Sequence, residues 1–314
     1  MKNKKILSIL IPTYNRERYL DNCLNSIFFQ LDDELKEKIE IIVSNNASED
    51  STKMVMEKYK KYNNVDYKYS SNLTNLGFDG NFYKLVNEAN GRFCWILGDN
   101  EFLLENSLKK IVDILEKYKE IGLLHIKGNK VEKVVYYDKI DEFLKTVSYN
   151  ITFISGMIWK KDKNFNLNFL EANGSCLLQL HYYLNNTTKV SENMIYSGAI
   201  FSALEVENGG YKLFDVFSNK FNDILKKYVK DQSIINKINN DMCSYFFPVW
   251  ILKAKNKKIE NKFKEEDILI TLKEKQSKYL KFWVIVYPII KLNFYLAKRY
   301  YKIIKKILKI LNSF

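Results

Sequence analysis

The chain has 314 residues, 46% of them hydrophobic, which suits a large folded core and excludes a disordered tail. Its formal net charge of +13 draws it toward something anionic: nucleic acid, phospholipid head groups or a phosphorylated substrate. Cys23, Cys94, Cys176 and Cys243 lie far apart, which argues against a zinc knuckle or disulfide framework, and they read as reduced and mostly buried.

The basic N-terminus runs into Ile6–Ile11, a stretch too short for a secretory leader and ended by Pro12 without a small-residue cleavage site, so a cytoplasmic protein is expected. Lys5 to Ile11 reads as a strand buried on both faces of a parallel sheet. After Pro12-Thr13-Tyr14-Asn15-Arg16, Leu20, Leu24, Ile27 and Phe28 recur at helical spacing, and Ile39 to Val43 is a second buried strand. A polar loop from Ser44 to Thr52 then leads into a helix from about Ser51, with Met54, Val55 and Tyr59 facing its core. Val65 to Tyr69 reads as a third strand, Phe82 to Ala89 as a helix after a turn at Gly77 and Gly80, and Phe93 to Leu97 as a fourth strand ending at Gly98-Asp99-Asn100-Glu101. Beyond, a strand is expected at Asn150 to Trp159, with His125 inside a buried strand. Helices are expected at Ser175 to Leu184 and Phe214 to Val229, and a charged helical stretch over 232–278.

This alternation predicts an α/β fold, a Rossmann-like, mostly parallel sheet flanked by helices. The polar loops all follow strands, so they converge on one crevice at the carboxyl ends. Thr13, Tyr14, Asn45 and Asn46 have the chemistry to grip a base and ribose, and Asp99 to Glu101 that to hold a divalent cation on a diphosphate. Singly, each loop fits a plain turn or a helix cap as well.

Four segments together resemble the inverting family 2 glycosyltransferases of GT-A fold: Ser8-Ile-Leu-Ile-Pro-Thr-Tyr-Asn-Arg16, Ile41-Ile-Val-Ser-Asn-Asn-Ala-Ser48, Asn75-Leu-Gly-Phe-Asp-Gly-Asn81 and Ala89-Asn-Gly-Arg-Phe-Cys-Trp-Ile-Leu-Gly-Asp-Asn-Glu101. The last is most similar to the abequosyltransferase-type branch of surface polysaccharide assembly. The resemblance covers roughly residues 5 to 160 and implies a nucleoside-diphosphate sugar donor with divalent Mn or Mg. It places Pro12, Thr13, Tyr14, Asn15, Asn45, Asn46, Asn75, Gly77 and Asp99 on the nucleotide and Asp99, Asn100 and Glu101 on the metal. Asn45 and Asn46 replace the family's usual acidic pair, and Asn100 interrupts its acidic metal motif, a change that weakens a site for a hard cation.

Inverting transfer also needs a base to take the acceptor proton. Glu171 and His181 are the candidates, with a solvated loop acid and an ordinary helix histidine as the alternatives. Gly156 and Trp159 lie on a strand similar to the family's acceptor side, the glycine giving access and the ring stacking on a sugar; without the resemblance this is a core strand with a bulge.

The C-terminal stretch carries Lys281, Lys291, Lys298, Arg299, Lys302, Lys305, Lys306 and Lys309 and no acidic residue. Its apolar run Phe282 to Ile290 is too short to span a bilayer, whereas from Leu292 on Leu296, Tyr300, Ile303, Ile304, Ile307, Leu308 and Leu311 recur opposite lysines, as in a helix lying among head groups. A helix packed on the domain with a solvated basic face is the alternative. The charge would serve nucleic acid too, but no reader motif accompanies it. The domain expectation is therefore a GT-A domain over 1–230, donor half to about 105 and acceptor half from 106, and a helical extension over 231–314 whose segment from 281 meets an anionic membrane surface. The protein is expected on the inner face of the cell membrane, acting on a glycan or lipid-linked acceptor. A degenerate sugar-nucleotide-binding or scaffold protein is the rival reading.

Overall fold

In the computed structural model, residues 5–129, 131–190, 192–204, 210–256 and 263–311 are described. The chain forms two compact units, one of residues 1–143 and 150–206 and the other of residues 144–149 and 207–314. The boundary expected near 230 falls inside the second unit.

In the first unit β1 (Leu7–Thr13), β2 (Ile39–Asn45), β3 (Asp66–Ser71), β4 (Phe93–Ile96), β6 (Leu123–Asn129), β7 (Val134–Tyr137), β8 (Met157–Lys160) and β9 (Asn193–Gly198) make one sheet, in the order β3-β2-β1-β4-β8-β6-β9-β7. A separate antiparallel pair joins β5 (Glu101–Leu103) to β10 (Phe201–Ala203). β3, β2, β1 and β4 are mutually parallel, while β8 runs antiparallel to both its neighbours and β7 to β9. The helices are α1 (Glu17–Phe28), α2 (Asp33–Lys38), α3 (Thr52–Lys58), α4 (Gly77–Glu88), α5 (Ser107–Lys117), α6 (Ile140–Val147), α7 (Phe169–Ala172) and α8 (Gln179–Lys189), of which α6 begins in this unit and ends in the second.

Strand alternation explains the layers. Leu7, Ile9 and Ile11 of β1 point into a core completed by Leu20, Leu24 and Ile27 of α1 and Leu108, Ile111 and Leu115 of α5. The opposite face is covered by α4 and α8: Phe82 stacks on Trp159, which also meets Tyr182 and Tyr183. The central strands are therefore apolar on both faces, which is what made them legible.

Three expectations change. Met54 is 70% exposed and Met56 takes its place in the core. α4 begins at Gly77, so Gly80 lies within the helix. Asn150 to Trp159 is not one strand: Ser148–Thr152 and Ile154–Gly156 are 3-10 turns, and only Met157–Lys160 pairs.

At the amino end of the strands, Glu40 is wholly buried in a polar knot. Its carboxylate accepts from Ser8 Oγ (2.6 Å), the Gly91 amide (3.0 Å) and Lys68 Nζ (2.8 Å). Burial alone would raise its pKa, but Lys68, Ser8 and the Asn90 amide together hold it below the usual value. Gly91 must be glycine, since a Cβ there would sit 2.6 Å from the Ser8 nitrogen.

The second unit is helical: α9 (Phe221–Tyr228), α10 (Gln232–Asp241), α11 (Phe247–Lys255), α12 (Ile268–Gln276), α13 (Tyr287–Lys291) and α14 (Phe294–Leu311), with π-helical turns at Asp215–Lys220, Met242–Phe246 and Phe282–Val286. The expected helical stretch over 232–278 includes residues 257–262, and the basic tail includes 312–314; both lie outside the described residues. Buried in this unit, Asn222 and Asn239 exchange amide hydrogen bonds of 2.9 and 2.8 Å, and Gln276 Nε2 donates to Asn239 Oδ1 (2.8 Å) and Ser218 Oγ (3.2 Å). On α14 only part of the apolar arc packs inward, through Ala297, Tyr301 and Leu308. Leu296, Ile303, Ile307, Ile310 and Leu311 stay exposed, and Tyr300 bonds to the carbonyl of Val284, itself exposed beside Trp283. Among the described residues no helix is long and apolar enough to cross a membrane.

Candidate functional site

Because β1, β2 and β4 are adjacent and parallel, the loops after them leave the sheet side by side. The Asn46 amide donates to the Thr13 carbonyl (2.8 Å) and the Asn72 amide to the Asn45 carbonyl (2.9 Å). Arg16, just past β1, reaches Asp99, just past β4, at 2.9 Å. Thr13, Asn46 and Asp99 thus gather at the carboxyl end, as the strand pattern requires.

The first two loops are stitched together. Asn15 and Ala47 adopt left-handed φ of 52° and 63°. The Asn15 amide donates to Ser48 Oγ (2.8 Å) while Asn15 Oδ1 accepts from the Glu49 amide (2.9 Å). The Glu17 amide donates to Asp50 and the Ser51 amide to Glu17, at 3.1 and 3.0 Å. Asp50, not Ser51, accepts from the first amide of α3, that of Thr52 (3.0 Å). Pro12 and Thr13 are the last residues of β1, and Tyr14 is 43% exposed.

Asn46 does a different job from the one expected. Its Nδ2 donates to Asn75 Oδ1 (2.8 Å) and the Gly77 carbonyl (3.1 Å), and its Oδ1 accepts from the Leu76 amide (2.9 Å) and Asn72 Nδ2 (3.0 Å). Those four bonds are all that an amide side chain can make, so in this arrangement none remains for a base edge. Asn46 is the clamp that shapes residues 72–77, with Asn75 also accepting from the Gly77 amide. Asn45 spends one donor on Ser71 and one acceptor on the Ser48 amide.

The third loop folds back on itself. Asn100 Nδ2 donates to the Leu204 carbonyl (2.9 Å), and the Leu204 amide returns a bond to the Asn100 carbonyl (2.8 Å). Glu101, 4% exposed, accepts from the Gly98 amide (2.8 Å); burial raises its pKa to about 7 against the opposing pull of Ser155 and Gly98. Asp99 is 3% exposed, and its burial outweighs Arg16 and leaves its pKa raised. The expected metal set is partly engaged with protein groups as arranged. Asp99 is already ion-paired, Glu101 accepts from the Gly98 amide, Asn100 is anchored through its nitrogen, and among the described residues no three His, Cys, Asp or Glu side chains converge.

Glu171 is exposed on α7, which is fastened to the start of α4 by Phe169: its ring stacks on Tyr83 at 4.6 Å and lies 3.9 Å from where a Cβ of Gly80 would be. His181 is buried on α8. Between them Asp79, which the sequence left without a role, accepts from the Cys176 and Leu178 amides (3.0 and 3.3 Å) and Ser175 Oγ (3.3 Å). Its only advance signal was its place inside the third motif.

On the acceptor side, the small residue at 156 abuts Phe153, 2.8 Å from a Cβ built there, and its carbonyl meets His125 Nδ1 at 3.1 Å. Burial drives the His125 pKa down to about 4. Trp159 is corrected outright. The residue is 1% exposed and its ring packs against Phe82, Tyr182 and Tyr183. It lines instead a cavity of ≈ 270 Å³ with Tyr83, Asn87, Phe165 and Tyr182. Since β8 is antiparallel to β4, Trp159 pairs with Cys94, toward the end of the sheet away from Asp99.

Residues 8–176 match the family description Glycosyl transferase family 2, more than half the chain, and the protein belongs to that family. Among relatives, abequosyltransferase RfbV of Salmonella typhimurium is 36% identical over 141 residues, 45% of this chain and 42% of that protein. GalNAc(5)-diNAcBac-PP-undecaprenol beta-1,3-glucosyltransferase of Campylobacter jejuni is 33% identical over 124 residues, 39% and 37% of the two chains. The matched segments thus span well under two thirds of either relative. In three dimensions, residues 1–349 of S. aureus TarS align with a TM-score of 0.59 at 18% identity, covering 81% of this chain and 82% of that one; their complex with UDP gives 0.56 at 17%, covering 88% and 89%. The fold is GT-A.

Proposed function

We propose that the protein is an inverting glycosyltransferase that moves a sugar from a nucleoside-diphosphate sugar to a glycan or lipid-linked acceptor in cell-surface polysaccharide or glycoconjugate assembly. The observation that carries this reading is the gathering of Thr13, Asn46 and Asp99 at one end of the parallel strands, inside the segment that matches the family. UDP in a neighbour of the same fold and the undecaprenol-linked substrate in a relative's name support the donor and acceptor classes.

In this reading Tyr14 stacks on the base, and the stitched loops around Asn15 and Ser48 fix the floor beneath it. Asn46 acts through the loop it shapes. The acceptor oxygen attacks the anomeric carbon from the side opposite the diphosphate, whose bond to that carbon breaks with the electron pair leaving on oxygen. The hydroxyl proton passes to a carboxylate, for which Glu171 is the candidate. The second unit carries its exposed apolar stripe and lysines to an anionic membrane surface on the inner face of the cell membrane, where a lipid-linked acceptor would be found.

The test is product formation from a panel of nucleotide sugars and polyprenyl-linked or glycan acceptors by the full chain and by Asp99→Ala. Transfer by the native protein, lowered at least about 100-fold in Asp99→Ala, is expected. No transfer across the panel with any donor would leave the degenerate binding protein as the better account.

A further inference from the structure

We propose that the cavity enclosed by α4, α8 and residues 161–167 is a second carbohydrate site: it receives one neutral sugar residue of a glycan, whose oxygen accepts from the indole N–H of Trp159. The site stands apart from the donor crevice, so binding there does not depend on how that crevice is read. Only the sugar's place in an acceptor or product glycan rests on the transferase reading.

The cavity of ≈ 270 Å³ is walled by Tyr83 and Asn87 of α4, Tyr182 and Asn186 of α8, and Phe165 and Asn166 between β8 and α7. Trp159 and Asn186 are buried, whereas Asn87 and Asn166 are exposed, so the space opens to solvent above a buried floor. α4 begins at Gly77, on the loop that Asn46 shapes, and Asn87 lies about 15 Å further along the helix. Trp159 pairs with Cys94, toward the end of the sheet away from Asp99. A ligand held here leaves the crevice open.

Trp159 supplies the observation that points to a ligand. Its Nε1 is buried and, among the described residues, has no hydrogen-bond partner. An indole nitrogen only donates, so the missing group is an acceptor, and leaving the donor dry costs about 1–3 kcal/mol. The space is roughly tenfold the share of a single water and lies just under the range usual for drug-sized ligands, which suits one sugar ring better than a nucleotide. The lining answers both parts of a sugar's surface, aromatic rings for its C–H face and amides for its hydroxyls. Phe165 meets Tyr182 edge-on at 5.2 Å, and Tyr182 is tilted against Trp159 at 6.3 Å, so the aromatic wall is built in advance. Lys161, Asp162 and Lys163 put both signs of charge around the space. Lys161 Nζ donates to the Val86 and Ala89 carbonyls (2.8 and 2.5 Å) and Asp162 pairs with Lys189 (2.7 Å), an arrangement that favours a neutral ligand over a net ion.

The experiment is ligand-observed NMR with isothermal titration of the full chain against glucose, galactose, mannose, rhamnose and N-acetylglucosamine, with and without saturating UDP. At least one sugar should bind in the millimolar range, with a dissociation constant changed less than about twofold by UDP. Trp159→Phe, which keeps an aromatic ring and loses the N–H, should weaken binding at least about tenfold, the worth of one hydrogen bond to a buried donor. If that variant does not fold, Asn87→Trp at the exposed mouth decides in its place and should weaken binding as much. The proposal is overturned if no neutral sugar binds, if UDP displaces the sugar, if affinity is unaltered in the deciding variant, or if only phosphate or glucuronate binds. UDP titrated alone reads the donor crevice separately: its failure to bind counts against the nucleotide-sugar reading and leaves the sugar site standing.

Discussion

Glu40 and Asp99 are both buried carboxylates of the same sheet, at opposite ends of its strands, and they are treated very differently. Glu40 is met by a hydroxyl, backbone amides and an ammonium, and stays readily ionised. Asp99 meets the Arg16 guanidinium and the Asn100 amide, yet burial outweighs them and its ionisation is resisted; two residues on, Glu101 is pushed up to about 7. A carboxylate with every lone pair answered holds a structure together. One whose partners do not offset its burial keeps a raised pKa at the carboxyl end of the strands.

The largest effect should come from breaking the satisfied end. Glu40→Ala strands the Ser8, Asn90 and Gly91 donors in the interior and should cost about 3–5 kcal/mol, read as a drop in the denaturant midpoint. Loss under about 1 kcal/mol would erase the contrast.

Next comes pH. Glu101 has a folded pKa of about 7 against an ordinary 4.5, so between those values the native state binds the extra proton. Its contribution is therefore full below about 4.5 and disappears as pH rises through 7, an order of 2–3 kcal/mol. Glu101→Gln should remove this slope from the difference between stabilities measured at pH 5 and pH 8, and identical slopes in the two proteins would contradict it.

Smaller still, Asp99→Asn should alter stability by no more than about 1 kcal/mol, since the uncharged amide escapes the desolvation that the carboxylate suffers. Thermal unfolding at neutral pH measures it, and a penalty like that of Glu40→Ala would place both residues in one class. The smallest effect on stability belongs to the second unit. Ile303→Asp with Ile307→Asp should leave unfolding within about 0.5 kcal/mol while lowering co-flotation with anionic vesicles about tenfold or more. Unchanged flotation would detach the apolar stripe from membranes.

What could be read in the sequence follows from which signals are local. β1, β2 and β4 are apolar on both faces and announce themselves as short unbroken runs, and the loops after them had to converge once the strands were parallel. The start of β8 is not legible, because Asn150 to Gly156 shares its apolar character yet winds into 3-10 turns. β7 lies at the sheet edge, paired only with β9 and half-exposed, and has no comparable run. In the site, polar residue types were visible but their partners were not. Asn46 looked like a ligand group because nothing local shows four bonds to residues 72–77. Nothing local marks Arg16 or Asp79 either, since Asp99 is 83 positions from the first and Leu178 99 from the second.

The interlocked amides of Asn222, Asn239 and Gln276 carry one more consequence. Apolar helices can slide past one another by a turn at small penalty, because one methyl surface resembles the next. Here any such slip would part matched donors and acceptors in a dry interior, so three side chains act as a registration key that lets the helical unit assemble in a single alignment.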